Sequence, residues 1–492
     1  EIVASDWSSD VCSSDLKAAK ERTIQLIFAD LFFLYFFMAL CFIAYFICRK
    51  TVYRNWVLIV FSMIFYAWGE PVWVFLLVGS VTVNYFAGLL IDKFRDTKKA
   101  TAVTACALIF DIGLLMFFKY TGFFVENFNA ISPVDLPVPH IEMPIGISFF
   151  TFQIISYILD CYWGKIKVQK SWYKLLMYIS MFPQLVAGPI VRYAVIENEI
   201  DNRVITSADV SEGITRICMG LGKKVILANN LSTIVDTFFK TGDLASLSVV
   251  GTWYTVIAYA MQVYFDFSGY SDIAIGLGRI FGFHFDENFR YPFVSKNITE
   301  FWQRWHISLG TFFRDYLLYV PIFGKRRKYL NLFLVWFCTG FWHGANWNYI
   351  IWGLYFGLFI LIERTIGNKN MRKMPRALAH IYNTIVVVVG FGIFYFTDLG
   401  KLGTFLGNLV GMNGNSFVDQ ISTQNMMANA WLVIVSIVLC MPVVPAIKKK
   451  LESMNLYLAT SVGQTVLNVA VFALSSILLV NATNNPFIYW QF

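Results

Sequence analysis

The chain holds five histidines, and two of them stand where a histidine is costly. His343 is the sole Asp, Glu, Lys, Arg or His in the 34 residues from Tyr329 to Ile362. An ionisable group at membrane depth faces a cavity or the interior of a helix bundle. Gly340 and Gly344 flank it and permit close backbone approach by another helix or a substrate. Asn346 and Asn348 follow, within reach of the ring or of a bound molecule. His306 lies in F-W-Q-R-W-H-I-S-L-G-T-F-F-R-D-Y, residues 301–316. Read as one helix, this stretch lines Arg304, Ser308, Thr311 and Asp315 along a polar stripe. His306 falls on the other side with Trp302, Phe313, Tyr316 and Leu317, which suits a pocket or an internal partner. A neutral imidazole in such a place can take the proton of a hydroxyl nucleophile. Acyl transfer from a thioester needs that base, positioning, and donors for the oxyanion. No G-x-S-x-G marks a serine triad, and no H-x-x-x-H or C-x-x-C offers a metal or redox pair. No metal site is expected. His140, His284 and His380 read as loop or element-end residues.

These side chains need elements to hold them. Of 492 residues, 57% are apolar and 14% charged, where soluble domains average about 45–50% and about 25%. That scarcity of charge excludes a soluble enzyme, a disordered chain, a collagen-like fibre and a nucleic-acid-binding domain. Uncharged runs cover Tyr329–Ile362, Leu244–Phe265, Leu378–Thr397, Ala430–Ile447 and Met454–Phe492, and Thr23–Cys48 carries only Asp30. A bilayer core about 30 Å thick needs about 20 apolar helical residues. The runs do not alternate as barrel strands would, and backbone groups in lipid must be satisfied within their segment. Spans are expected near 24–48, 55–69, 71–91, 100–118, 143–163, 172–191, 214–238, 246–265, 330–341, 345–362, 378–397, 430–447 and 462–481. Some are short or interrupted by glycine, so about 10–11 crossings are expected. Residues 266–328, with Pro292 and Pro321, read as re-entrant or interfacial helices. Residues 1–22 are polar, with Ser-Ser-Asp at 8–10 and 13–15, and read as a disordered or non-native leader. Residues 23–492 read as one transmembrane domain.

The positive charge is a topological signal. Arg49, Lys50 and Arg54 follow the first span, Lys93, Arg95, Lys98 and Lys99 the third, and Lys165, Lys167, Lys170 and Lys174 the fifth. The loops between carry Glu70, Glu126, Asp135 and Glu142. Alternate loops are therefore expected in the cytoplasm and the N-terminus outside. The G-x-G-K at 220–223 lacks the phosphate-loop spacing and reads as a helix end.

On its longer motifs the sequence resembles the membrane-bound O-acyltransferase family. The motifs are F-W-Q-R-W-H-I-S-L at 301–309, F-R-D-Y-L at 313–317 and T-G-F-W-H-G-A-N-W-N at 339–348. F-Y-A-W-G-E-P at 65–71, M-F-P-Q-L-V-A-G-P-I-V-R-Y at 181–193, Y-F-D-F-S-G-Y-S-D-I-A-I-G-L at 264–277 and the terminal F-I-Y-W-Q-F narrow it to the AlgI-like polysaccharide O-acetyltransferase branch. The resemblance implies an all-α, polytopic membrane fold around a central funnel or tunnel. It implies His343 and His306 as the catalytic histidines. Asn346, Trp302, Trp305, Arg304, Asp315 and Asp266 lie in or beside these motifs and are the substrate-binding candidates. It implies acetyl-CoA or an acyl carrier as a cytosolic donor substrate, with no resident cofactor. The acceptor would be an extracytoplasmic polysaccharide, such as alginate or peptidoglycan, reached across a bacterial inner membrane. A partner of the SGNH type would complete transfer. D-alanyl transfer to teichoic acid, as in DltB-like proteins, is the nearest alternative. A lipid-linked sugar flippase would show pseudo-symmetric halves with paired broken helices, and none is visible.

Overall fold

The computed structural model describes residues 26–480 apart from 48, 187, 322–324 and 372, and all but the side chain of Asn368. The leader expected at 1–22 and the terminal F-I-Y-W-Q-F lie outside the described residues. The regular elements among the described residues are all helices, with no strand. The elements that matter for the site are α1 (Trp73–Lys93), α2 (Lys98–Ile131), α3 (Ile147–Tyr162), α4 (Ser207–Gly222), α5 (Val249–Ile280), α6 (Ile298–Arg304), α7 (Ile307–Phe313), α8 (Lys328–His343), α9 (Trp347–Ile366), α10 (Arg376–Tyr395), α11 (Gln420–Ala428), α12 (Ala430–Leu439) and α13 (Tyr457–Val480). Among the described residues, α1, α2, α9, α10 and α13 are each long and apolar enough to cross a bilayer, and α11 with α12 forms a pair bent by 62°. Shorter apolar helices, α3 among them, pack between these. The chain is a multi-pass membrane protein. Its basic loops, between α1 and α2, after α3 and before α8, mark one end, called here the basic end.

The segment 266–280 departs from the re-entrant reading. It is the second half of α5, a single helix of 32 residues. Two glycines explain how a stretch carrying Asp266 and Asp272 stays helical inside the bundle. A Cβ on Gly213 of α4 would stand 2.7 Å from the Gly276 carbonyl of α5, and one on Gly269 would stand 2.7 Å from the Gly220 carbonyl. Backbones this close let α4 and the turns after it neutralise the acids of α5. Lys224 reaches Asp266 at 2.6 Å and Lys223 reaches Asp272 at 2.6 Å, while Arg216 bridges Asp272 and Glu287. The G-x-G-K run therefore belongs to a helix contact.

The stretch 301–316 is not one helix either. α6 stops at Arg304, Trp305 is extended, and His306 takes the left-handed conformation at φ 44° before α7 begins. A residue with a Cβ is uncommon there, and such a conformation persists only where the surroundings over-determine it. Three backbone bonds do so: Arg290 N to Arg304 O at 2.9 Å, Ile307 N to Asn288 O at 3.0 Å, and Gly310 N to His306 O at 3.1 Å. The polar stripe read along one helix is thereby dispersed.

α8 runs unbroken from the basic end, and at about 1.5 Å per residue its 16 residues carry His343 about 24 Å inward. Gly340 lies against Tyr349 and Gly353 of α9, and a Cβ there would run into the Tyr349 carbonyl oxygen. The glycines beside His343 thus serve helix packing, since Gly344 abuts the Tyr349 ring.

Candidate active site

His343 is the last residue of α8 and is 4% exposed. Its Nδ1 lies 2.6 Å from the Thr339 carbonyl oxygen. A carbonyl only accepts, so Nδ1 carries the hydrogen and Nε2 carries the lone pair. Trp342, Trp352 and Phe394 wall the ring at centroid distances of 4.9, 4.7 and 5.4 Å. A helix end leaves carbonyls without intrahelical donors, and α2 supplies two. Tyr120 donates its hydroxyl to Phe341 O at 2.7 Å, and Lys119 Nζ donates to Trp342 O at 2.6 Å.

His306 is 2% exposed and is held from the loop after α5. The Asn288 side-chain oxygen accepts from the Ser308 backbone N–H at 3.2 Å and the Ser308 hydroxyl at 2.9 Å. A backbone N–H can only donate, which fixes the orientation of the amide. The same oxygen stands 3.1 Å from His306 Nδ1, so that nitrogen donates and Nε2 is the acceptor. Both histidines therefore present the same tautomer. The Asn288 Nδ2 in turn donates to Ser271 Oγ of α5 at 2.9 Å.

Two recesses approach this pair from opposite ends. One is a cavity of about 70 Å³ lined by Lys119, the loop 143–146, Ser148, Trp342 and His343. It lies away from the basic end, because its loop joins the far ends of α2 and α3. The other is a cleft of about 570 Å³ at the basic end, lined by Arg216, Lys223, Asn288, Arg290 and Arg304 among others. Asn288 lines the cleft and bonds His306. The His306 ring is 6.1 Å from the Trp342 ring, which is 4.9 Å from His343. The order across the protein is cleft, Asn288, His306, Trp342, His343, cavity. Such an arrangement can receive one reactant at each end and bring them to two imidazoles.

The other sequence candidates divide. Arg304 lies on the cleft, bonded to Glu300 at 2.9 Å. Trp305 is buried against Phe289, Phe301 and Phe391, and Trp302 packs on Trp336, Trp352 and Phe356, so both brace the break that holds His306. Asp315 joins Arg192 and Arg314 away from both recesses, and Asp266 is committed to Lys224. Asn346 precedes α9 without a side-chain cap and lines neither recess. Its neighbour Asn348 is fully buried and donates to Ile393 O and Phe394 O at 3.3 and 3.0 Å.

Three residues matter that spacing did not single out. Asn288 orients His306. Lys119 falls just past the span expected at 100–118, but lies within α2, which runs on to Ile131. Glu363 on α9 accepts from Ile298 N at 2.6 Å, Thr299 N at 2.9 Å and Thr299 Oγ1 at 2.6 Å, and so anchors the start of α6. Each acts through a partner distant in sequence, which no local pattern displays.

A membrane bundle with a buried histidine between two recesses has the parts that acyl transfer needs, a base and access for two reactants. The sequence pattern of the membrane-bound O-acyltransferase family matches residues 146–407, and the chain belongs to that family. It is an AlgI-like member and an O-acyltransferase. It is 38% identical over 383 residues to the probable alginate O-acetylase AlgI of Pseudomonas putida, covering 76% of this chain and 78% of that protein. The peptidoglycan O-acetyltransferase of Helicobacter pylori is 34% identical over 433 residues, 80% of this chain and 82% of that protein. The teichoic acid D-alanyltransferase of Bacillus subtilis is 30% identical over 261 residues, 50% of this chain and 65% of that protein.

Proposed function

We propose that this protein moves an acetyl group from acetyl-CoA, bound at the basic end, to a hydroxyl of an extracytoplasmic polysaccharide. The observation that carries this reading is the approach of two recesses to one His306–Trp342–His343 cluster. The basic end is assigned to the cytosol by the distribution of Lys and Arg. In this reading the protein lies in a bacterial inner membrane with its N-terminus outside. The cleft there offers Arg290, which forms no ion pair among the described residues, to the phosphates of a CoA thioester, while Arg216 and Lys223 beside it are held by Asp272 and Glu287. In the reaction, His343 Nε2 takes the proton of the acceptor hydroxyl as its oxygen attacks the thioester carbonyl. The C–O bond forms, the C–S bond breaks, and the proton passes to the departing thiolate. His306 stands on the donor side and aids the passage of the acyl group or of a proton. A secreted or anchored SGNH-type partner is the expected next acceptor where the polymer itself does not enter.

The test is single-turnover transfer from labelled acetyl-CoA to acetylatable oligosaccharide, with and without such a partner. His343→Ala, with wild-type melting, should lose transfer by about 10²–10⁴-fold, the range for a general base. Undiminished transfer in the folded variant removes His343 from the mechanism. If label never leaves CoA but leaves a D-alanyl carrier, the alternative D-alanyl reading stands instead.

A further inference from the structure

Lys119 is a basic side chain that the histidine chemistry above does not use. It sits on α2 at the wall of the His343 cavity, and the other lining side chains are apolar apart from Ser148, the indole N–H of Trp342 and His343 itself. Two contacts hold its Nζ: Trp342 O at 2.6 Å and Ser148 Oγ at 3.4 Å. Its ammonium also stands 5.8 Å from the centre of the Trp342 ring. Among the described residues it forms no ion pair, whereas Lys224, buried in the bundle, is paired with Asp266 at 2.6 Å. A charge at this depth is costly without a counter-charge. An ammonium has three N–H donors, and the contacts to Trp342 and Ser148 are both to neutral oxygens. The helix-end carbonyl accounts for a donor at this position. It does not account for a lysine, since the hydroxyl of Tyr120 caps the adjacent Phe341 carbonyl.

We propose that Lys119 is the acceptor-recognising residue of the cavity and that it binds a carboxylate of an acidic glycan, such as a uronate, next to the hydroxyl that His343 deprotonates. This rests on the acetyl-transfer reading. The carboxylate would supply the missing counter-charge and a charge-assisted hydrogen bond, fixing the sugar in one register over the imidazole. It would also offset the repulsion between the ammonium and the imidazolium formed when His343 takes the proton. A neutral glycan would gain neither effect.

The experiment compares two acceptor oligosaccharides of equal length, one of uronate units and one carboxyl-reduced, using full-length protein in detergent or nanodiscs with labelled acetyl-CoA. Wild type should favour the uronate acceptor in kcat/KM by about 10–100-fold, the range for a hydrogen bond to a charged group. Lys119→Met and Lys119→Gln should erase that preference, mainly through a higher KM for the uronate, so that the ratio between the two acceptors falls to about one. Lys119→Arg keeps the charge and should keep most of the preference. Equal use of both acceptors by wild type overturns the proposal and leaves acetyl transfer standing. Equal losses on both acceptors in Lys119→Met and Lys119→Gln overturn it too and reduce Lys119 to a helix-end support. Absence of transfer from wild type to either acceptor or to a partner is a failure of the acetyl-transfer reading itself.

Discussion

Truncating Asn288 to alanine tests whether the orientation of His306 is built from the loop after α5. Asn288 is fully buried, and its amide serves His306 Nδ1, the Ser308 N–H and hydroxyl, and the Ser271 hydroxyl. Each buried polar group left without a partner costs about 1–3 kcal/mol. Water entering from the adjoining cleft recovers part of that, and the four groups share one site, so the sum is not additive. A net destabilisation of about 3–5 kcal/mol is expected. With its Nδ1 partner gone, His306 also loses the restraint on its tautomer. Loss of the partner that orients a functional histidine typically costs about 10–100-fold in metal sites, and a similar fall in turnover is expected here. Asn288→Asp retains an acceptor oxygen for Nδ1 and for Ser308, and should keep more activity than Asn288→Ala. The assay pairs thermal unfolding of the purified protein with single-turnover acetyl transfer at saturating donor. An Asn288→Ala protein that melts within about one degree of wild type and turns over normally would refute the assignment of His306 to this network.

Three further outcomes follow from the same geometry. Glu363→Ala leaves the Ile298 and Thr299 amides and the Thr299 hydroxyl without their acceptor, and should cost about 3–5 kcal/mol; Glu363→Gln should cost less, and equal melting of all three proteins would contradict the anchoring role. Gly353→Ala places a methyl against the Trp336 carbonyl and Gly340, so α8 must shift; a loss of about 1–3 kcal/mol and a fall in turnover are expected, read by melting and transfer together. His284, in the loop past the end of α5, stands 2.6 Å from Glu199 and 3.3 Å from Asp209. Burial opposes its charged form, but hydrogen bonds and attraction to the two carboxylates outweigh this and raise its pKa above 6.5. A raised histidine pKa contributes stability that is full below the unfolded value and is lost as pH rises through the folded one. His284→Gln should therefore lower melting more at pH 5.5 than at pH 8.5, and an equal effect at both would exclude the charge.

The membrane class, the helical fold and the prominence of His343 were legible in the sequence because each depends on local composition. A run of 34 residues without another Asp, Glu, Lys, Arg or His declares both the span and its exception. The family motifs around 301–317 and 339–348 were legible for the same reason. The helix through 266–280 was not, because its acids are tolerable only beside Lys223, Lys224 and Arg216 of the packed neighbour. Nor was the break at His306, which is imposed by hydrogen bonds from residues 288 and 290 and not by any breaker at 305–306. Asn346, adjacent in sequence to the histidine motif, was displaced from the candidate site by the start of α9. Lys119 and Asn288 entered it from far along the chain.

What the sequence determined by itself was the solvent of this protein and the identity of its most isolated ionisable group. Hydrophobic length and charge scarcity are properties of a segment, and lipid reads them segment by segment. Tertiary structure alone decided which donors orient each imidazole, which acids are neutralised inside the bundle, and which lysine shares a cavity with His343. Those are pairings between helices, and they exist only once backbones have come close enough for side chains distant in sequence to share a hydrogen.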